Sequence, residues 1–123
     1  MKRILIIVAV ITSVIVACTK GGTTTNSSNN GNNDFKEDCS GAAKSFANDV
    51  NPIIQSSCAT NSNCHGAGSL NGPGPLTTYS QIFTSRSDIR SAVASGLMPQ
   101  NSVLSNSDKN TILCWIDSGA SQN

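Results

Sequence analysis

The chain has 123 residues, of which 37% are hydrophobic, 12% charged and 4% aromatic, with a formal net charge of +1. One domain is the expectation for that length, and no basic cluster supplies the electrostatic footprint of a nucleic-acid-binding protein. So small a core, with only Phe35, Phe46, Phe83, Tyr79 and Trp115 as aromatics, is marginal unless a covalent bond or a cofactor supports it.

Met1-Lys2-Arg3 is a positive start, and Ile4 to Val16 is apolar except for Thr12 and Ser13. This run is shorter than the roughly 20 apolar residues of a spanning helix and fits a secretory signal. It ends in Ile15-Val16-Ala17-Cys18, which resembles a bacterial lipobox. That resemblance implies a signal peptide over residues 1–17, removed ahead of Cys18, and lipid on the Cys18 sulfur. Loss of Lys2 and Arg3 leaves six basic against seven acidic residues. The following TKGGTTTNSSNNGNN holds no large apolar residue and cannot offset the entropy of ordering. Residues 18–33 therefore read as a lipidated cysteine and a flexible tether reaching about 20 Å. The folded domain is expected over 34–123.

Within that domain, a turn from Ser40 to Asn48 brings in Phe46. Asn51-Pro52 then reads as an N-cap with proline in the first turn, starting a helix that runs to about Cys58. Leu70 to Leu76, LNGPGPL, is an irregular loop. Thr77 to Phe83 predicts a short helix presenting Tyr79, Ile82 and Phe83. Ser85-Arg86-Ser87-Asp88 fits a capping box, followed by Ile89, Val93 and Leu97 at helical spacing and a left-handed stop at Gly96. Met98 thus emerges in a loop directly after a helix. Ser105 to Asp108 repeats the capping pattern ahead of the apolar stripe Ile112, Leu113, Trp115 and Ile116, which Gly119 ends. No strand pattern of useful length occurs. The expectation is an all-α domain of short helices joined by long loops, and loops that long are explained by wrapping around a large apolar ligand.

Apart from Cys18, the cysteines are Cys39, Cys58, Cys64 and Cys114. In an oxidising compartment free thiols do not persist, and four cysteines allow three disulfide pairings. Thioethers from Cys58 and Cys64 to a haem, with Cys39 paired to Cys114, also leave no odd thiol, so counting does not choose. Zinc is disfavoured by the absence of a close C-x₂₋₄-C pair. The stretch Cys58-Ala59-Thr60-Asn61-Ser62-Asn63-Cys64-His65 holds the only histidine, directly after a cysteine. A c-type haem is normally attached through C-x-x-C-H, whereas here five residues separate the cysteines. Haem iron in electron transfer takes two axial protein ligands, and His with Met raises its potential. Individually, His65 reads equally well as a solvated loop histidine and Met98 as a core gap-filler. Together they stand in the order a haem clamp requires.

From Asp49-Val50-Asn51-Pro52-Ile53-Ile54, through Cys58 to His65, Gly74-Pro75-Leu76 and Gly96-Leu97-Met98-Pro99, to Trp115-Ile116-Asp117 and Gly119-Ala120, the domain resembles a class I cytochrome c of the kind found in small bacterial lipoproteins. The resemblance covers most of residues 46–120. It implies a small cytochrome c-like helical bundle holding one haem c, with thioethers at Cys58 and Cys64 and axial ligation by His65 and Met98. It further implies that the Pro75 carbonyl accepts a hydrogen bond from the other His65 ring nitrogen, and that the helix from Pro52 to Cys58 crosses the helix carrying Trp115. A Cys39–Cys114 disulfide would clamp the two ends of the domain. The departure is the C-x₅-C-H spacing.

The function expected on this resemblance is single-electron transfer in the cell envelope. The partners are redox proteins of unknown identity and a membrane reached through the lipid, with no nucleic acid. The domain would lie in the periplasm or at the cell surface, and the outer membrane is favoured because Thr19 is not an acidic retention signal. No carboxylate pair, second histidine or nucleophile–base arrangement points to an enzyme. The alternative is a haem-free, disulfide-stapled binding or structural module on the same skeleton, with Cys58 bonded to Cys64.

Overall fold

The computed structural model describes residues 35–123. The expected signal peptide, Cys18 and the tether lie outside the described residues. Within them the protein is all-α. A π-helical turn, Phe46–Val50, runs directly into α1 (Asn51–Ser57), followed by α2 (Tyr79–Thr84), α3 (Arg86–Ser95) and α4 (Asn106–Asp117). No helix among the described residues is long and apolar enough to cross a membrane.

The first helical run starts earlier than Asn51, whose backbone is already helical. Its N-cap is Ser45. The Ser45 hydroxyl accepts from the Asn48 amide at 3.3 Å, and the Asp49 carboxylate accepts from the Ser45 amide at 2.7 Å. Pro52 explains the wide turn that intervenes. In an α-helix its ring would press on the carbonyl four residues back, and it has no N–H to offer that carbonyl. Bonds spanning five residues, such as the Val50 amide to the Ser45 carbonyl at 3.1 Å, carry the chain past this point.

α2 has a complete capping box between Thr78 and Gln81. The box expected at Ser85 is absent. The Ser85 amide still donates to the Gln81 carbonyl at 3.1 Å as the last residue of α2, and its backbone is not extended. A residue that closes one helix cannot also turn its hydroxyl onto the start of the next. Gly96, at φ 73°, stops α3 as expected. The chain reverses there, so Leu97 leaves the Ile89–Val93 face and is 66% exposed. Ser105 caps α4 through the Asp108 amide at 3.1 Å.

α4 forms the centre of the domain, packing against α3 and against the π turn. Ile112, Leu113 and Trp115 are buried, and Phe46 lies 5.5 Å from Trp115 and 5.0 Å from Tyr79 between ring centres. The expected crossing of the N-terminal helical run with α4 is therefore carried by Phe46 in the π turn, ahead of Pro52. The Tyr79 hydroxyl donates to the Ala120 carbonyl and the Trp115 indole to the Ser121 carbonyl, each at 2.9 Å. These bonds satisfy the polar ends of both rings and hold the chain after α4 against the core.

Cys39 and Cys114 are joined in a disulfide, with 5.4 Å between their α-carbons. It ties the segment before the π turn to the last turn of α4. Beside it, Arg90 of α3 makes a two-pronged bond to Asp117 at 2.6 and 2.7 Å and reaches Glu37 at 3.0 Å. All three side chains are partly solvated, which limits what the ion pairs contribute. Arg90 holds the Asp117 carboxyl below the usual carboxylate range, while desolvation leads in pushing the Glu37 carboxyl up.

The disulfide closes a 75-residue separation, and on loop-closure entropy it contributes about 4 kcal/mol. The Cys39→Ser/Cys114→Ala double variant is expected to melt about 15 °C or more below the parent by circular dichroism.

Candidate functional site

The five residues between Cys58 and Cys64 do not spread outward. The Asn61 carbonyl accepts from the Cys64 amide at 3.1 Å and from the Gly66 amide at 2.8 Å. Its side-chain oxygen accepts from the Asn63 amide at 2.8 Å, in the local turn that asparagine favours. The winding brings the His65 amide to 3.0 Å from the Cys58 carbonyl, so the chain closes on itself across the insertion. Gly66 is required here. A β-carbon on it would lie 2.7 Å from backbone atoms of Asn61. Outside this coil, the buried Ser69 hydroxyl donates to the Cys64 carbonyl, and the Asn71 side chain donates to the Asn63 carbonyl at 2.7 Å.

His65 is buried, with 8% of its surface exposed. Its carbonyl accepts from the Leu76 amide at 2.8 Å, and its Nδ1 lies 3.1 Å from the Gly74 carbonyl. A carbonyl only accepts, so Nδ1 carries the proton and Nε2 presents a lone pair. The acceptor is thus Gly74 and not Pro75. Gly74 has φ 99°, in the left-handed region open to glycine, and the Leu76–His65 bond fixes the register of the loop behind it. With Leu76 pinned to the His65 backbone, the carbonyl that meets the ring is the one two residues before Leu76. Gln55 of α1 also donates to the Leu76 carbonyl at 3.0 Å, so the loop is held from both sides.

Nε2 makes no hydrogen bond among the described residues. It belongs to a cleft. One cavity of about 800 Å³ is lined by Cys58, Cys64 and His65 together with neutral polar residues such as Asn61, Asn71 and Gln100. A second, of about 410 Å³, is bounded by Leu76, Ile89, Val93 and Leu97. Cys58, His65, Gly72 and Met98 border both, so they stand where the two meet. Met98 is half-buried, and its amide donates to the Ala92 carbonyl at 3.2 Å. That bond folds the loop after Gly96 back onto α3 and sets Met98 at the cleft.

Of the residues singled out from the sequence, Cys58, Cys64, His65 and Met98 meet at one cleft, whereas Cys39 and Cys114 lie apart in their disulfide. Cys58 and Cys64 are separate thiols. Burial, reinforced by the charge of neighbouring Cys64, pushes the Cys58 thiol up to about 11. Among the described residues, only Glu37, Cys39 and Cys114 form a trio of His, Cys or carboxylate groups with ligand atoms within 4.8 Å of one another, and two of these are consumed in the disulfide. Cys58, Cys64 and His65 are spread wider than that. A bare ion, with metal–ligand bonds of about 2.0–2.3 Å, does not reach all three as they stand. The set suits a broad group gripped at several points: two attachable sulfurs, an imidazole lone pair, a thioether and an apolar wall. The volumes are also in the range of about 300–1,000 Å³ usual for such ligand sites. The roles of Asn61, Gly66 and Ser69 are not among those the sequence analysis assigns. An asparagine two residues before another, between two cysteines and followed by glycine, is the local sign of the coil.

Gly66→Ala is expected to cost about 1–3 kcal/mol of stability in urea unfolding, the usual range for forcing atoms into filled space. In the unmodified protein, alkylation of Cys58 followed by peptide mass is expected to rise about tenfold per pH unit between pH 8 and 10, because the reactive thiolate stays scarce below about 11. Comparison with protein-family models, with curated proteins and with solved structures returns no match for this chain.

Proposed function

We propose that the protein is a monohaem c-type cytochrome that carries single electrons in the cell envelope, held to a membrane by lipid on Cys18. The observation that carries this reading is the convergence of Cys58, Cys64, His65 and Met98 on one cleft, with the His65 Nε2 lone pair left free. Haem, when bound, supplies the one-electron iron couple. The protein's own residues do the rest. Cys58 and Cys64 offer sulfurs for covalent attachment, and the Asn61-centred coil keeps their loop short-ended despite its five residues. His65 offers Nε2, and its Nδ1–H bond to Gly74 holds the ring in one tautomer and one orientation. Met98 offers a soft thioether on a loop tied to α3. Leu76, Ile89 and Val93 line an apolar wall that excludes water and limits reorganisation between oxidation states. His65 and Met98 would be the residues that hold the iron, which would leave no position for a substrate, so the proposed role is transfer and not catalysis.

The test is expression of the chain with a c-type maturation system. The purified protein is expected to show a Soret band and an intact mass increased by one haem. Absence of both, or a Cys58–Cys64 disulfide in non-reducing peptide maps, overturns the reading. In the oxidised haem protein, Met98→Ala is expected to abolish the weak near-infrared band of methionine-ligated iron while the Soret band persists. An unchanged near-infrared spectrum removes Met98 from the ligand set.

A further inference from the structure

The Cys39–Cys114 bond is open to solvent on one side. Cys39 is exposed, whereas Cys114 keeps only 9% of its surface exposed. A thiol arriving from solvent therefore meets the Cys39 sulfur, and the sulfur it displaces is the buried one on α4. A carboxylate stands beside this pair. Glu37 Oε1 is 3.5 Å from Cys39 Sγ, and Glu37, Cys39 and Cys114 bring one oxygen and both sulfurs within 4.8 Å of one another.

That carboxylate is aimed from outside. Glu37 Oε2 accepts from Arg90 at 3.0 Å, and Arg90 is itself fixed by its two bonds to Asp117. With Oε2 occupied, Oε1 is the oxygen that meets the sulfur. Arg90 of α3 and Asp117 of α4 are the charged groups facing Glu37. Desolvation first, then Asp117, raise its affinity for a proton above that of an ordinary carboxylate, and Arg90 opposes them. The reduced pair is also provided for. A thiol carries a proton that a disulfide sulfur lacks, and each sulfur has an acceptor for one at 3.5 Å: Glu37 Oε1 for Cys39 and the Asp38 carbonyl for Cys114. The Asp38 amide donates to the Asn110 side chain at 3.1 Å, a bond to α4 that does not involve the sulfurs.

We propose that Cys39–Cys114 is a thiol–disulfide exchange site, separate from the cleft, at which a dithiol reduces the bond by attack on Cys39 while Glu37 carries the proton of the incoming thiol to Cys114. The incoming thiol gives its proton to Glu37 Oε1 as its sulfur bonds to Cys39 Sγ. The Cys39–Cys114 bond breaks, its electron pair goes to Cys114 Sγ, and Glu37 delivers the proton there. The second thiol of the reductant then attacks the reductant sulfur held on Cys39. The electron pair of that mixed disulfide goes to Cys39 Sγ, which takes up the second proton through Glu37, and the reductant leaves as a disulfide. Two electrons and two protons have passed from the dithiol to the protein. Arg90 is a positioning residue for this step. None of Glu37, Cys39 and Cys114 lines the cleft, so the proposal does not rest on haem.

The experiment uses the full chain as purified, under conditions where circular dichroism shows it folded. It is treated with glutathione, a monothiol that stops at the mixed disulfide, then alkylated and mapped by peptide mass. The adduct is expected on Cys39 and the alkyl group on Cys114. An adduct on Cys114 with Cys39 alkylated, or a bond that opens only once urea has unfolded the chain, overturns the proposal. The rate of opening by dithiothreitol is then followed from pH 8 to pH 6. Where free thiolate alone attacks, the rate falls about tenfold per pH unit. The parent is expected to fall less than about threefold per unit, because Glu37 takes the proton during attack. Glu37→Gln, whose oxidised fold is checked by its melting curve, is expected to show the steep slope and to be about tenfold slower than the parent at pH 7. Equal slopes in the two proteins overturn the role of Glu37. Absence of haem from the preparation bears on the electron-carrier reading and leaves this measurement as it is.

Discussion

The cleft depends on how completely the backbone around His65 is used. The amide bonds to Cys58, the carbonyl accepts from Leu76, and Nδ1 donates to Gly74. An imidazole whose other polar groups were unpaired would turn to find a partner, and the lone pair on Nε2 would be lost to that partner. Here every competing demand is met by main-chain atoms, which cannot swing away as side chains do. The buried ring is held in one tautomer.

Two helices extend this constraint to the rest of the site. α1 ends at the first cysteine, and its Gln55 reaches across to the loop that contains Gly74. α3 stops at a left-handed glycine, and the return of the Met98 amide to Ala92 fixes where the thioether begins. Neither helix contributes a reactive group from its middle. Their role is to end at defined places, and the chemistry is carried on the segments just beyond those ends. The small core, centred on Trp115, Phe46 and Tyr79, is what keeps the ends in register.

Much of this was written in local sequence patterns. The cap at Ser105 and the glycine stops after α3 and α4 follow from one or two residues each, and the structure has them. Local patterns mislead where one residue has two neighbours to serve. Ser85 closes α2 and so cannot cap α3 with its side chain. Pro52 influences the carbonyl behind it as well as the turn ahead, and the first helical run begins at Phe46, capped by Ser45. The grouping of Cys58, Cys64, His65 and Met98 could be anticipated from their order, but the coil that closes the five-residue gap could not. It rests on the Asn61 carbonyl serving two amides at once and on a contact with Gly66 too close for any side chain. The shift from Pro75 to Gly74 likewise depends on a bond between two backbones, His65 and Leu76, that leaves no mark in composition or periodicity.

The Cys39–Cys114 bond has a mechanical side. A load applied through the chain that precedes Cys39 does not pass along the backbone into the π turn and on toward the cysteine–histidine coil. It crosses the sulfur bridge into the last turn of α4, next to the buried Trp115. Force from that direction is therefore taken up by the helix that carries Ile112, Leu113 and Trp115 in the core, and the cleft lies in the slack part of the circuit, strained only after α4 itself has been pulled out of the core.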